Sequence, residues 1–227
     1  GTLTVCTASP YKPFEFEKNG QFVGFDIDLV NEVAKALGVK TAIENKGFND
    51  IASGKLLNQN ECDVAVAALS ITGDRARVVD FSSPYFSAKQ AVVVERNSGI
   101  SSIEDLSGDR IGVQKGSTSE LFVTDNAPND AEIVPFEEAD AVSAALDSGD
   151  VDAAVYDSTV APDVTKRYPD MDIARKYNTG EQYGMAVKKN SDVDLLRVIN
   201  RVIAQLHPND DKGGYATIYN RWFPKGS

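Results

Sequence analysis

Polar side chains follow apolar segments of the sequence at four places where a small charged molecule could bind. The four segments are Ser9-Pro10-Tyr11, Ser70 with Arg75, Gly116-Ser117-Thr118, and Asp157. In open α/β sheets, ligands bind outside the carboxyl ends of the strands. If the chain forms two facing lobes, we expect these four segments to converge.

Arg75 has two interpretations. Ser70-Ile71-Thr72 is typical of a strand end that leads into a helix capped by Thr72, where a cation in the first turn opposes the helix dipole. Arg75 is then either a surface residue paired with Asp74 or Asp80, or a bidentate clamp on a carboxylate. An unfavourable local charge favours the functional interpretation.

The turn Gly116-Ser117-Thr118-Ser119 and Asp157 also leave two interpretations each. The turn opens a helix and offers N–H groups and hydroxyls to an anion, or it supplies only an N-cap. Asp157 is either a helix cap or an anion for an ammonium group. An arginine for a carboxylate and an aspartate for an ammonium together match a zwitterion, which is the chemistry of a free amino acid.

Other chemistries have little support in the sequence. The only histidine, His207, precedes Pro208 near the end of the last apolar helix, so no His-based triad or His-rich metal site is expected, and we predict no cofactor. The turn after Gln114 lacks the phosphate-binding pattern GxxxxGK[ST]. A net charge of -11 disfavours nucleic acid and anionic lipid as partners.

The elements that position these residues alternate between strands and helices. Short apolar runs at Asp63 to Ala68 and Asp152 to Tyr156 are typical of buried parallel strands, and Ile27 to Leu37 has helical spacing ending at Gly38. The two runs resemble each other, which indicates two lobes of one plan. Cys6 and Cys62 belong to no CxxC or metal-type cluster, so they form either a disulfide or two buried thiols, and we slightly favour thiols.

We predict an α/β fold of two lobes, with lobe 1 formed by residues 1–88 plus 185–227 and lobe 2 by residues 89–184. The extended segments Gln90 to Val94 and Tyr183 to Val187 are interpreted as two crossovers between the lobes. Two such crossovers form a hinge beside a central cleft. The apolar helix from Leu195 to Leu206 is expected to pack on lobe 1.

In their order along nearly the whole chain, several segments resemble the polar amino-acid solute-binding proteins of ABC importers, which have the type II periplasmic binding protein fold. The segments are Pro13-Phe14-Glu15-Phe16, Val23-Gly24-Phe25-Asp26-Ile27-Asp28-Leu29, Ser70-Ile71-Thr72 with Arg75, Asp80-Phe81-Ser82 with Pro84-Tyr85, Gly112-Val113-Gln114 with Gly116-Ser117-Thr118, Asp157, Tyr183-Gly184, and Tyr219 to Phe223.

The resemblance implies roles for matching residues. Arg75, with the N–H groups of Ser70 and Thr118, would hold the ligand carboxylate. Asp157, Ser70 and the carbonyl of Ala68 would hold its ammonium. Other side chains would enclose the ligand side chain: Tyr11 and Phe48 as a sandwich, and Ala8, Asp26, Gln114, Ser119 and Tyr156 at the far end. Ser117 completes the expected ligand-binding set.

The resemblance also implies a function without catalysis. The chain is expected to bind a free amino acid as a monomer and to deliver it to the membrane permease of an ABC transporter. Several family members have an acidic residue where this chain has Ala8; its absence and the neutral Gln114 favour a glutamine- or asparagine-like ligand over a basic one. The alternatives are a basic amino acid, a recruited enzyme such as a cyclohexadienyl dehydratase, or the binding core of a glutamate-gated receptor.

The same resemblance implies an extracytoplasmic location, either periplasmic or as a lipoprotein of the cell surface. The chain opens on the strand-like Thr2 to Cys6, so we expect any export signal to be absent from it.

Overall fold

The computed structural model describes residues 1–206 and 213–223, and the chain divides into two compact units. The first unit, Gly1–Ser87 with Gln182–Ser227, is built from both ends of the chain. The second unit, Ala88–Glu181, is one continuous stretch. His207 and Pro208 lie outside the described residues.

Strands and helices alternate along the chain as the sequence predicts. In order, they are β1 Thr2–Thr7, β2 Phe16–Lys18, β3 Gln21–Val23, α1 Phe25–Leu37, β4 Lys40–Asn45, α2 Phe48–Ala52, α3 Lys55–Asn58, β5 Val64–Ala65, α4 Gly73–Val78, β6 Val79–Phe81, β7 Phe86–Glu95, a 3₁₀ turn Ile103–Asp105, β8 Arg110–Gln114, α5 Thr118–Asn126, β9 Glu132–Phe136, α6 Ala139–Ser148, β10 Ala153–Asp157, α7 Ala161–Arg167, β11 Met171–Tyr183, β12 Ala186–Lys188, α8 Val193–Leu206 and α9 Gly214–Trp222.

Each unit contains a five-stranded sheet, and the two sheets have the same strand plan. The order is β4-β1-β5-β12-β6 in the first unit and β9-β8-β10-β7-β11 in the second. In the first, β1 lies parallel to β4 and β5, and β12 runs antiparallel to β5. In the second, β8 lies parallel to β9 and β10, and β7 runs antiparallel to β10. The similarity between the two halves of the sequence therefore corresponds to two sheets with the same strand order.

Local sequence explains where the helices begin and end. Helix α1 buries Ile27, Val30 and Val33 and ends at Gly38, whose φ of 70° is a left-handed conformation that glycine adopts without strain. Its N-terminus packs so closely against the chain at Phe14 that a Cβ on Gly24 would collide with the Phe14 carbonyl. Helix α8 buries Ile199, Val202 and Ile203 and packs on α1, which confirms the tail helix predicted for this part of the chain.

Cys6 and Cys62 form a disulfide, so the preference for free thiols was wrong. Cys6 lies in β1 and Cys62 just before the adjacent β5, and their Cα atoms are 5.8 Å apart. Both sulfurs lie in the apolar cluster beneath the first sheet. Because parallel strands bring distant segments side by side, a separation of 56 residues in sequence places the two cysteines within bonding distance. Within the described part of the chain, no helix is both long and apolar enough to cross a bilayer.

Candidate functional site

Arg75 lies in the first turn of α4, and the side chain is turned back toward the preceding segment. Thr72 caps the helix, since its Oγ1 accepts a hydrogen bond from the Arg75 N–H at 3.2 Å, as the sequence predicts. The Arg75 guanidinium donates through Nη1 to the Ser70 carbonyl at 2.8 Å, and only 8% of the residue is exposed. The guanidinium and the Ser70 backbone are therefore held together at the end of the segment that follows β5.

The interpretation of Arg75 as a surface residue was wrong, because the residue is buried. Of its two expected partners, Asp74 pairs with the exposed Arg77 at 2.8 Å, and Asp80 pairs with Lys189 at 2.7 Å. The Arg75 guanidinium carbon lies 5.6 Å from the centroid of the Phe48 ring. Stacking on an aromatic face holds a guanidinium in place without neutralising its charge.

Other residues expected at the site lie near the ends of strands in the same unit. Ala8 follows β1 and is buried, and Ser9 is fixed because its N–H donates to Asn45 Oδ1 at 2.8 Å. Tyr11 is partly exposed, and its N–H donates to the Glu15 carbonyl at 2.7 Å. Phe48, at the start of α2, is 9% exposed.

Asp26 supports the segment that carries Ala68 and Ser70. Its Oδ2 accepts hydrogen bonds from the Ala68 N–H at 2.7 Å and from the Tyr85 hydroxyl at 2.9 Å, and none of the residue is exposed. Burial raises the pKa of Asp26 to about 7, although these two hydrogen bonds act to lower it. Ala68 has a φ of 46°, which is uncommon for a residue other than glycine. The Asp26 carboxylate therefore helps to hold a strained backbone conformation beside Ser70.

In the second unit, the turn before α5 forms a reciprocal cap. Ser117 Oγ accepts from the Glu120 N–H at 3.1 Å, and Glu120 Oε2 accepts from the Gly116 N–H at 2.7 Å. The Ser117 hydroxyl therefore has the capping role that the sequence left open. Thr118 and Ser119 are the first two residues of α5 and therefore lie at its N-terminus.

Tyr156 and Asp157 end β10 and point to opposite faces of the sheet, as consecutive strand residues do. The Tyr156 hydroxyl lies 3.0 Å from Ser143 Oγ in α6, and burial raises its pKa. Asp157 Oδ1 accepts from Gln90 Nε2 at 2.8 Å. Helix α7 begins four residues later, with Val160 at the N-cap and no side-chain cap, so the interpretation of Asp157 as a helix cap was wrong.

Gln90 and Glu181 join this cluster, although no pattern in the sequence points to either residue. Gln90 is opposite Asp157 in the β7–β10 pairing and is completely buried. Its Nε2 also donates to Glu181 Oε1 at 2.7 Å, and its Oε1 accepts from the Ser119 hydroxyl at 2.7 Å. Thr118 Oγ1 donates to Glu181 Oε2 at 2.6 Å. Thr118, Ser119 and Asp157 are thus connected through two further side chains.

The remaining expected residue, Gln114, ends β8 and is 9% exposed, and its Nε2 lies 3.3 Å from the Glu137 carbonyl, to which it donates. Among residues 1–206 and 213–223, no group of three or more His, Cys, Asp or Glu side chains is placed to bind a metal ion.

The contacts described above assemble two clusters around expected site residues. The first, around Arg75, contains Ala68, Ser70 and Phe48 in the first unit; the second, around Asp157, contains Gln90, Thr118, Ser119 and Glu181 in the second unit.

Comparison with known proteins gives the same fold and a consistent set of relatives. Residues 3–225 match the family described as bacterial extracellular solute-binding proteins, family 3. A probable histidine-binding protein of Neisseria gonorrhoeae is 31% identical over 227 residues, which are 97% of this chain and 82% of that protein. The glutamine-binding protein of an ABC transporter of Bacillus subtilis is 34% identical over 206 residues, covering 90% of this chain and 74% of that protein.

Solved structures resemble the whole chain. An ancestral arginine-binding protein bound to arginine is 40% identical and superposes with a TM-score of 0.91, with coverage of 98% of both chains. An ancestral arginine-binding protein bound to glutamine gives the same values. These structures confirm the expected type II periplasmic binding protein fold.

Proposed function

The chain belongs to family 3 of the bacterial extracellular solute-binding proteins, and from that membership we propose that it binds a free polar L-amino acid and delivers it to the permease of an ABC importer. The relatives described above are named for histidine, glutamine and arginine binding, which supports a free amino acid as the ligand class. The disulfide between Cys6 and Cys62 supports an extracytoplasmic location, because such bonds persist in oxidising compartments.

The observation that carries the proposal is the matched position of one cation and one anion. Arg75 follows β5 in the first unit, and Asp157 ends β10 in the second; β5 and β10 are the central strands of the two equivalent sheets. Arg75 is oriented by the Ser70 carbonyl, and Asp157 by the Gln90 amide. These contacts orient both side chains. An amino-acid zwitterion needs a cation for its carboxylate and an anion for its ammonium.

Each proposed contact uses a group that the structure holds in place. Arg75, with the N–H groups of Ser70 and Thr118, binds the ligand carboxylate, and Asp157, with Ser70 and the Ala68 carbonyl, binds the ammonium. Phe48 and Tyr11 enclose the ligand side chain. Asp26 contributes indirectly, because its carboxylate fixes the Ala68 backbone.

The far end of the ligand is assigned to residues of both units. Ala8 comes from the first unit, and Gln114, Ser119 and Tyr156 from the second. Because the proposed contacts are divided between the units, the ligand favours a closed arrangement in which all of them are made. The protein accordingly acts by hinge closure around the ligand.

Isothermal titration calorimetry against the proteinogenic amino acids tests this function. We expect one-to-one binding of at least one polar amino acid without added metal or cofactor. The absence of heat with every amino acid would refute the proposal. Mass spectrometry of the recovered ligand provides a control, because conversion into a product would show that the protein is an enzyme.

A further inference from the structure

Gln90 is a completely buried side chain that contacts three polar side chains of the second unit. It lies on β7, opposite Asp157 of β10. Its Nε2 donates to Asp157 Oδ1 at 2.8 Å and to Glu181 Oε1 at 2.7 Å. Its Oε1 accepts from the Ser119 hydroxyl at 2.7 Å. Both ends of the amide are therefore hydrogen-bonded within one unit.

These contacts fix the orientation of the Gln90 amide. A primary amide has two N–H groups, and its nitrogen here has one carboxylate oxygen as an acceptor for each of them. The reversed orientation would place the amide oxygen against both carboxylates, and an ionised carboxylate cannot donate. The nitrogen therefore faces Asp157 and Glu181, and the oxygen faces Ser119.

The surroundings of Gln90 in β7 argue against a role in packing alone. The residues that follow it in the strand, Ala91 to Val94, are apolar and buried. Ala88, which points to the same face as Gln90 because strand residues alternate, is also apolar and buried. Burying an amide costs free energy that an apolar side chain would not cost, and its hydrogen bonds must offset that cost. A glutamine at this position is explained by the side chains that its amide holds in place.

The side chains connected through this amide belong to the proposed ligand site. Asp157 is assigned to the ligand ammonium, and Ser119 to the far end of the ligand side chain. Glu181 accepts from the hydroxyl of Thr118 at 2.6 Å, and Thr118 is assigned to the ligand carboxylate. In a buried hydrogen-bond network, removal of one member allows the others to adopt new arrangements. Gln90 is therefore placed to control how Asp157 meets the ammonium.

We propose that Gln90 is a positioning residue that holds Asp157 in the orientation in which it accepts the α-ammonium group of the ligand. This inference rests on the proposed function. The role depends on the hydrogen bond to Asp157 Oδ1 and not on the net charge of the site. Loss of the amide should therefore weaken recognition of the α-amino group more than recognition of the rest of the ligand.

Amino acids and their deamino analogues isolate this role, because the analogues keep the carboxylate and the side chain and lack the α-amino group. The pairs are L-arginine with δ-guanidinovalerate, L-glutamine with glutaramate, and L-histidine with imidazolepropionate, since relatives of the chain are named for these amino acids. The pair used is the one whose amino acid binds most tightly, or the corresponding pair for another amino acid found by calorimetry. Displacement titration gives both dissociation constants, and their ratio measures recognition of the α-amino group.

Gln90→Met removes the amide and keeps a side chain of similar length. In this variant, we expect the affinity for the amino acid to fall about tenfold, because Asp157 loses a hydrogen bond that orients it, and the affinity for the analogue to change by less than about threefold. Gln90→Glu keeps an oxygen that accepts from Ser119 and replaces the donor nitrogen, so we expect the same loss of discrimination. This second variant separates donation to Asp157 from contact with Ser119, and it serves if Gln90→Met does not fold.

Gln182→Met is the matched control. Gln182 is exposed and follows Glu181 on β11, so its side chain points to the opposite face of the sheet. The same substitution there should leave both affinities unchanged. Circular dichroism and a thermal melt check that each variant is folded. In the unmodified protein, the NMR signal of the Gln90 side-chain amide needs no substitution, and it should shift more when the amino acid binds than when the analogue binds.

Three results would overturn the inference. They are an unchanged affinity for the amino acid in both Gln90 variants, an equal loss for the amino acid and its analogue, and an equal shift of the Gln90 amide signal with the two ligands. The equal loss would show that Gln90 only supports the fold of the second unit. In all three cases an amino acid still binds the unmodified protein, so the proposed function stands. Failure of every amino acid to bind would refute the proposed function itself.

Discussion

Replacing Asp26 with asparagine is expected to remove a strong dependence of folding stability on pH. Asp26 is completely buried, and its carboxylate accepts hydrogen bonds from the Ala68 N–H and the Tyr85 hydroxyl. Burial raises the pKa of this carboxyl group from 3.8 to about 7 despite those bonds. The folded protein therefore holds a proton at Asp26 over a pH range in which the unfolded chain has already released it.

The size and sign of the effect follow from linkage. Stabilisation by the bound proton is complete below the unfolded pKa of 3.8 and is lost as the pH rises through the folded pKa of about 7. Each pH unit in this window lowers the free energy of unfolding by about 1.4 kcal/mol, which amounts to about 4 kcal/mol over the whole window. The Asp26→Asn side chain stays neutral at every pH and has no such slope.

Urea denaturation of the unmodified protein and of Asp26→Asn at several pH values between about 5 and 7 measures the difference. The difference between their free energies of unfolding should change by about 2 kcal/mol over those two pH units, in favour of the variant at the higher pH, because the slope falls off as the pH approaches the folded pKa. Asp125→Asn is a control because Asp125 is exposed, and its pH profile should match that of the unmodified protein. Parallel pH profiles for the unmodified protein and Asp26→Asn would refute the argument.

The remaining predictions concern the disulfide, the two proposed binding charges and closure. Replacing Cys6 and Cys62 with serine should lower the free energy of unfolding by about 4 kcal/mol, because the bond joins residues 56 positions apart; an unchanged urea midpoint would contradict this. Arg75→Ala and Asp157→Ala should each weaken ligand binding by about 2 to 5 kcal/mol in calorimetry, since each leaves a buried ligand charge unpaired. Arg77→Ala is the control, because Arg77 lies in an exposed ion pair with Asp74, and this variant should bind the ligand normally. Normal binding by both Arg75→Ala and Asp157→Ala would exclude the assigned contacts. Saturation with ligand should lower the radius of gyration in small-angle scattering, and identical profiles with binding confirmed would exclude closure.

The parts of the fold that sequence predicts well are those with strong local signals. Helix α1 has regular apolar spacing and a glycine at its end, and Thr72 precedes α4 at the position where a cap is favoured. The repeat between the units could also be predicted, because β5 and β10 lie in similar apolar segments. For α1 and α4 the signal lies within the helix or directly beside it.

The parts that sequence did not predict depend on contacts between distant residues. Gln90 and Glu181 are 91 positions apart, and no local pattern distinguishes them from other polar residues on strands. The spacing of Cys6 and Cys62 does not determine whether they pair. Asp26 lies in the first turn of a helix, where acidic residues are common for electrostatic reasons alone, so its contact with Ala68 appears only in the folded structure.

The position of β12 has a consequence for the order in which the chain folds during synthesis. This strand, Ala186–Lys188, lies between β5 and β6 in the first sheet, yet the ribosome makes it after all of the second unit. The second unit is complete once Glu181 has emerged, whereas the first sheet still lacks a strand between two of its members. Pairings that join distant parts of a chain form late, because the intervening loop must be closed first. The first sheet therefore cannot be completed until β12 has been made, after the whole of the second unit.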